Sequence, residues 1–136
     1  GVFHARVQEL LETRQTFETP QGRKRTNFKR VDTDTVKEFY SYIPQATVSD
    51  DVKSGMLRMW RTQDNDPWFW FLNEAHDSAL AETHRDNKER YADLFRKEMQ
   101  QPIDFRRGSF ARDLQLVIPV ELAWSDTNWK GMEGIR

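Results

Sequence analysis

Residues 66–72 read DPWFWFL. Four large rings, Trp68, Phe69, Trp70 and Phe71, stand side by side in a polar chain, and the fold turns on whether they form a helix or a strand. Asp is a preferred N-cap and Pro is favoured at the first helical position, so Asp66-Pro67 predicts that the run opens a helix. Successive helical residues point about 100° apart, so such a turn is apolar all round. It must be buried on most sides or face a second object. A strand is the alternative, because Trp and Phe favour strands. The helix is read on through Leu72, His76, Ala79 and Leu80. Thr83-His-Arg-Asp86 resembles a capping box, where the helix either breaks or carries on. From Asn87 to Met99 the pattern is helical, with Tyr91, Leu94, Phe95 and Met99 on one face and Pro102 beyond its end.

Upstream, Phe3, Val7, Leu10 and Phe17 recur at helical spacing, with Leu11 beside them, which predicts an amphipathic helix from Val2 to about Thr16. Thr19-Pro-Gln-Gly22 is a turn signal, and a basic β-hairpin is expected over 17–31, with a flexible basic loop as the alternative. Thr35-Val-Lys-Glu38 matches a capping box ahead of VKEFYSYI, a short helix stopped at Ile43 by Pro44. Ser49-Asp-Asp is read as opening another helix, whose face carries Val52, Met56, Met59 and Trp60, with two acids suiting its first-turn dipole.

Downstream, Leu114, Leu116, Ile118, Val120, Leu122 and Trp124 alternate strictly and predict a strand over 112–124. Pro119 lacks an N–H donor, which moves that strand to a sheet edge or a bulge. The tail, 125–136, carries Trp129 without periodicity and reads as a loop or C-terminal arm. The expected fold is α+β, a single domain over 1–136. Four or five helices pack on one small antiparallel sheet made of the 17–31 hairpin and the 112–124 strand. The runner-up is a mainly α domain whose lone strand pairs in trans.

Composition bounds function by exclusion. A chain of 136 residues suits one domain with its own core, and five Trp and nine Phe supply large buried area per residue. Cysteine is absent, which removes disulfides, thiolate nucleophiles and zinc–cysteine sites. No run approaches the ~18 apolar residues of a membrane span. The chain starts GVFHAR without Met, as a processed form would after loss of a targeting peptide; a soluble protein is expected, and the compartment stays open between an intracellular, a processed organellar and a secreted protein without disulfides. The net charge of −1 hides a split, since residues 1–31 hold seven Lys and Arg against three Glu. That asymmetry marks either an anionic partner or charge pairing inside one folded domain.

No motif supports chemistry. His76 and His84 lie eight residues apart, about 12 Å of helical rise, too far for one ion, and His4 is remote from both in sequence. Ser78, Ser109 and His84 lack the strand–turn–helix context of a nucleophile elbow. Glu121 falls opposite the apolar face of the final strand, and Gly131-Met-Glu-Gly134 lacks the setting that dinucleotide binding requires. No cofactor and no metal is expected.

Two features remain. The segment Arg23, Lys24, Arg25, Phe28, Lys29 and Arg30 pairs cations that could neutralise phosphates with a ring that could stack on a base. Arg106, Arg107 and Arg112 would extend it if the final strand lay beside the hairpin. The aromatic surplus is the second: Trp60, Trp68, Trp70, Trp124 and Trp129, with Phe39, Tyr40 and Tyr42. Exposed Trp anchors interfaces, and an edge strand invites strand addition. The leading expectation is a non-enzymatic interaction or assembly domain, an oligomer or small subunit of a larger complex, anchored by Trp68, Trp70, Trp124 and Trp129. The alternatives are a nucleic-acid-binding module using the 23–30 segment, and a small-ligand pocket protein or enzyme with an aromatic-lined cavity.

Overall fold

The computed structural model describes residues 1–63 and 66–135. The chain divides into two units, one made of residues 1–50 and 103–116, the other of 51–102 and 117–136.

The first unit starts with α1 (Val2–Thr13), whose stripe Val7, Leu10 and Leu11 is buried against Phe17, Phe39 and Ile43. The helix ends where the N–H groups of Arg14 and Gln15 both reach the Leu10 carbonyl, with Gln15 at a φ of 53°. The TPQG turn forms as expected. It joins β1 (Thr16–Glu18) to antiparallel β2 (Lys24–Thr26), and Gly22 N–H donates to the Thr19 carbonyl at 2.9 Å. The hairpin is shorter than the expected 17–31, however: its ladder ends at Thr26, and Phe28, Lys29 and Arg30 lie in the loop beyond it.

Helix α2 (Thr33–Thr62) corrects three expectations. Its cap is Asp32, whose Oδ1 accepts the Thr35 N–H at 2.8 Å, so Thr35 sits inside the first turn rather than before it. The helix does not stop at Pro44. An interior proline costs about 3 kcal/mol. Here its ring faces out, while Thr35, Phe39, Ile43, Ala46, Thr47 and Asp50 form an unbroken buried stripe across it. Ser49, Asp50 and Asp51, expected to open a second helix, are interior to this one and buried. Asp50 accepts the Thr19 hydroxyl at 3.0 Å and pairs with Arg23, which ties the hairpin turn to the helix. Burial pushes the Asp51 carboxyl up, and Arg58 opposes the shift.

The same unit takes in β5 (Ile103–Asp104) and antiparallel β6 (Gln115–Leu116). The loop between them lies on β1. Ser109 N–H donates to the Glu18 carbonyl at 2.9 Å, and its Oγ accepts the Glu18 N–H at 2.8 Å.

In the second unit the aromatic run is a strand. The chain enters β3 (Phe69–Ala75), turns at His76-Asp77, and returns as antiparallel β4 (Ser78–Thr83). Thr83 ends β4, and the capping atom expected of it is supplied by His84, whose ring accepts the Asp86 N–H ahead of a 3₁₀ turn at Arg85–Asn87. Helix α3 (Lys88–Met99) follows as read, with Tyr91, Leu94, Phe95 and Met99 all in the core with Phe69 and Met59. The tail folds back. A 3₁₀ turn at Trp129–Gly131 leads into β8 (Glu133–Ile135), antiparallel to β7 (Leu122–Trp124).

The fold is therefore α+β, but with three α-helices and four separate two-stranded sheets among the described residues. The expected continuous strand over 112–124 is two short ones, β6 and β7, separated around Pro119, and neither pairs with the basic hairpin. Proline cannot donate to a ladder, so the alternation of Leu114 to Trp124 is not carried through it.

Gly55 sets the approach of α2 to α3. A Cβ there would overlap Met99 Sδ, and would stand 3.2 Å from the Glu98 carbonyl oxygen and 3.3 Å from Met99 Cα. Gly55→Ala is expected to lower stability by about 1–2 kcal/mol. Overpacking of about 1–3 kcal/mol outweighs the helix-propensity gain of about 1. Urea denaturation reads it, and a stabilised variant would mean that α3 yields without cost.

Candidate functional site

Asp66 decides the local path. Its Oδ1 accepts the Trp68 N–H at 2.9 Å, and its carbonyl accepts the Phe69 N–H at 3.3 Å, so Asp-Pro closes a turn instead of capping a helix. Its Oδ2 accepts the Tyr91 hydroxyl at 2.7 Å and Arg90 Nη1 at 3.0 Å, which fastens that turn to α3. The Tyr91 hydroxyl, then the Trp68 N–H, hold the Asp66 carboxyl below the usual range. Burial first, and then Asp66 itself, push Tyr91 up to about 12.

From this turn the strand alternates. Phe69 and Phe71 point to the core, where Phe69 stacks on Tyr91 with centroids 4.3 Å apart. Trp68, Trp70 and Leu72 point out and are 57%, 50% and 55% exposed. The register shifts between Phe71 and Asn73, which leaves Leu72 as the extra residue of a β-bulge. A bulge re-aims a side chain and blocks regular pairing. Exposed Glu82 lies opposite Trp70, and Trp68 meets His84 edge-on at 5.8 Å. Among the described residues no third strand joins β3 or β4, so both edges of this hairpin lack a strand partner. The outer side of the hairpin therefore carries the half-exposed side chains of Trp70 and Leu72 beside exposed Glu82, with Trp68 at the strand entry.

The other two candidate tryptophans lie on the C-terminal segment of the same unit, which Arg85, next to His84, reaches through Asp126 at 3.1 Å. Trp124 is half-buried, donates its Nε1–H to Asp126 Oδ1 at 3.2 Å, and carries Lys88 Nζ over its ring at 5.6 Å. It walls a hollow of about 650 Å³ whose other lining residues are Lys88, Ser125, Asp126, Thr127, Gly131, Glu133 and Gly134. That lining is polar, with one ring, unlike an aromatic-lined cavity. Trp129 stands exposed on the following 3₁₀ turn.

The basic segment belongs to the first unit, and most of its charge has a partner there. Arg23 pairs with Asp50, Lys24 with Glu18 at 3.7 Å, and Arg25 and Lys29 share Glu38. Hydrogen bonds from Lys29, then Arg25, hold the Glu38 carboxyl below its ordinary range. Arg25 also lies over the rings of Phe39 and Tyr42, each at 4.7 Å. Arg30 lowers the Asp32 carboxyl, though less than Thr35 does. Phe28 is different. Its ring is 92% exposed, held out by Asn27, which is buried and accepts the Lys29 N–H at 3.0 Å while donating to the Lys29 carbonyl at 2.9 Å. Arg106 folds onto Asp104, whose carboxyl it holds down at about 2.

Ser109 anchors a loop on β1 and Glu121 is exposed. Among the described residues no group of three or more His, Cys, Asp or Glu is placed to hold a metal ion, and no helix is long and apolar enough to cross a membrane. No protein family profile matches the chain, and no curated protein sequence matches it. Sequence reasoning singled out Trp68 and Trp70, which share one face. It missed Leu72 and Glu82, because residues 70 and 72 share a face only in a strand, and the run reads locally as a helix.

Proposed function

We propose that the chain is a non-enzymatic interaction and assembly domain, self-associating or a small subunit of a larger complex. One observation carries this: Trp70 and Leu72 stand half-exposed on the outer face of a hairpin, with half-exposed Trp68 at its entry, and no third strand joins that hairpin among the described residues. Covering apolar area returns about 25 cal/mol per Å², and of the roughly 150–250 Å² of a whole Trp about half is still uncovered at Trp68 and at Trp70, area that serves no core. Light scattering over a dilution series tests it. Wild type is expected to exceed monomer mass at high concentration, and Trp70→Ser with Leu72→Ser to lower association at least tenfold with an unchanged far-UV spectrum. A wild-type monomer throughout, with no partner retained on the immobilised chain, would sink the idea.

The exposed ring of Phe28, beside Lys29 and Arg30, favours a second reading as a single-strand nucleic-acid binder. The informative changes are Phe28→Ala, Lys29→Ala and Arg30→Ala. Arg23 and Arg25 hold Asp50 and Glu38, so replacing them disturbs the fold as well as the charge. Binding of a labelled oligonucleotide at low salt that ignores all three changes would remove this reading.

A further inference from the structure

We infer that the chain associates head to tail, the Phe28 loop of one copy docking on the Trp68–Trp70–Leu72 face of the next. This rests on the assembly reading above and names its partner, a second copy of this chain.

The two surfaces differ in form. The first is a projection. Phe28 stands out of a loop made rigid by Asn27, whose backbone N–H also donates to the Gln15 carbonyl at 2.6 Å. A ring held in its docking position loses little further freedom on binding. The second is a face. Trp70 and Leu72 lie on one side of β3, with Trp68 at its entry.

They also differ in charge. Exposed Arg14 is next to Gln15, and exposed Lys29 and Arg30 follow Phe28; Lys29 and Arg25 share the one carboxylate of Glu38, so the projection keeps a positive surplus. The strand part of the face carries acids, with Glu82 opposite Trp70 and exposed Asp77 at the hairpin turn, while Arg90 sits on Asp66 at the Trp68 end. The same sign difference runs through the two units. Residues 1–50 and 103–116 hold eleven Lys and Arg against nine Asp and Glu, and the remainder holds ten against thirteen. A basic aromatic projection and an acidic aromatic face on one chain complement each other between copies, and like-with-like contacts would set equal charges together. Each copy then offers one of each, which is a heterologous contact that generates a ring or an open filament.

The test mixes two blocked forms of the full chain. Phe28→Ser removes the projection, and Trp70→Ser with Leu72→Ser removes the face. All these side chains are exposed, and far-UV circular dichroism confirms folding. Each form alone is expected to stay monomeric by sedimentation velocity. Mixed in equal amounts they are expected to give a dimer and stop, since each dimer has one good contact and two blocked ends. Raising salt is expected to weaken that dimer. If both forms alone are monomers and the mixture is too, the head-to-tail contact is wrong. If Phe28→Ser alone associates like wild type, the inference fails while the assembly reading stands on another contact. A wild type that is monomeric at every concentration overturns the inference.

Discussion

A chain carrying Gly108→Ala is expected to lose about 4 kcal/mol of stability, a large share of the roughly 5–15 kcal/mol typical of a domain. Gly108 has a φ of +86°, where an L residue is strained by about 1–2 kcal/mol. A Cβ there would also stand 2.7 Å from the Glu18 carbonyl oxygen, 2.8 Å from that of Thr19 and 2.9 Å from the Thr19 carbonyl carbon. All three are backbone atoms. Thr19 is fully buried and bonded to Asp50, so the neighbour cannot step aside cheaply, and overpacking adds a further ~1–3 kcal/mol. Ser109→Ala, which leaves one β1 N–H without its partner, is expected to cost only about 1 kcal/mol. Urea midpoints of the two variants measure the difference. A Gly108→Ala shift below that of Ser109→Ala would mean that the 105–112 loop leaves β1 without penalty.

Tyr91→Phe is expected to cost about 2 kcal/mol at neutral pH and to change the shape of the stability profile. The ring keeps its stack on Phe69, and only the hydroxyl bond to the Asp66 carboxylate is lost, the stronger kind of hydrogen bond. Asp66 is depressed in the folded chain, so its contribution is present above the unfolded carboxylate value of about 4 and vanishes as pH falls through the lower folded value. Tyr91 is raised to about 12 in the folded chain, so its contribution is complete below the unfolded value of about 10 and is lost as pH rises from there to the folded one. Wild type should therefore shed about 1.4 kcal/mol per pH unit on that alkaline flank, and the variant should not. The gap between the two is widest from about pH 5 to about pH 10 and closes on both sides. Parallel curves through pH 12 would show that the hydroxyl is not buried as described.

Local signals that agreed with packing were legible in the sequence. Val7, Leu10 and Leu11 marked α1, TPQG marked the first hairpin, and Tyr91, Leu94, Phe95 and Met99 marked α3. Asp66-Pro67 misled because the same residues that cap a helix also close a turn, and the carboxylate that would have capped is taken by Trp68, Arg90 and Tyr91. The alternation that makes residues 69–72 a strand was present but invisible, since both faces carry large apolar side chains: Phe69 and Phe71 inward, Trp70 and Leu72 outward. Pro44 misled for the opposite reason. The rule about proline is local, and the buried stripe that overrides it spans four turns. Of the candidate site, the identity of Trp68 and Trp70 could be read ahead of the structure, but Trp70 sharing a face with Leu72 follows only from the strand, since in a helix those two point about 200° apart. Likewise the charges of the 23–30 segment were plain, while Glu18, Glu38 and Asp50, which pair with most of them, come from other elements.

The first unit is not a contiguous stretch of chain: after residue 50 it waits for residues 103–116. During synthesis, a ribosome adding roughly 5–20 residues per second needs several seconds to deliver the loop that seats Gly108 and Ser109 on β1. Through that interval the emerging hairpin has its Glu18 N–H and carbonyl open to any other backbone. The second unit is interrupted in turn by 103–116. Neither unit can then be released by a single cut, and a nascent chain halted before residue 109 would be the form most exposed to proteases and chaperones.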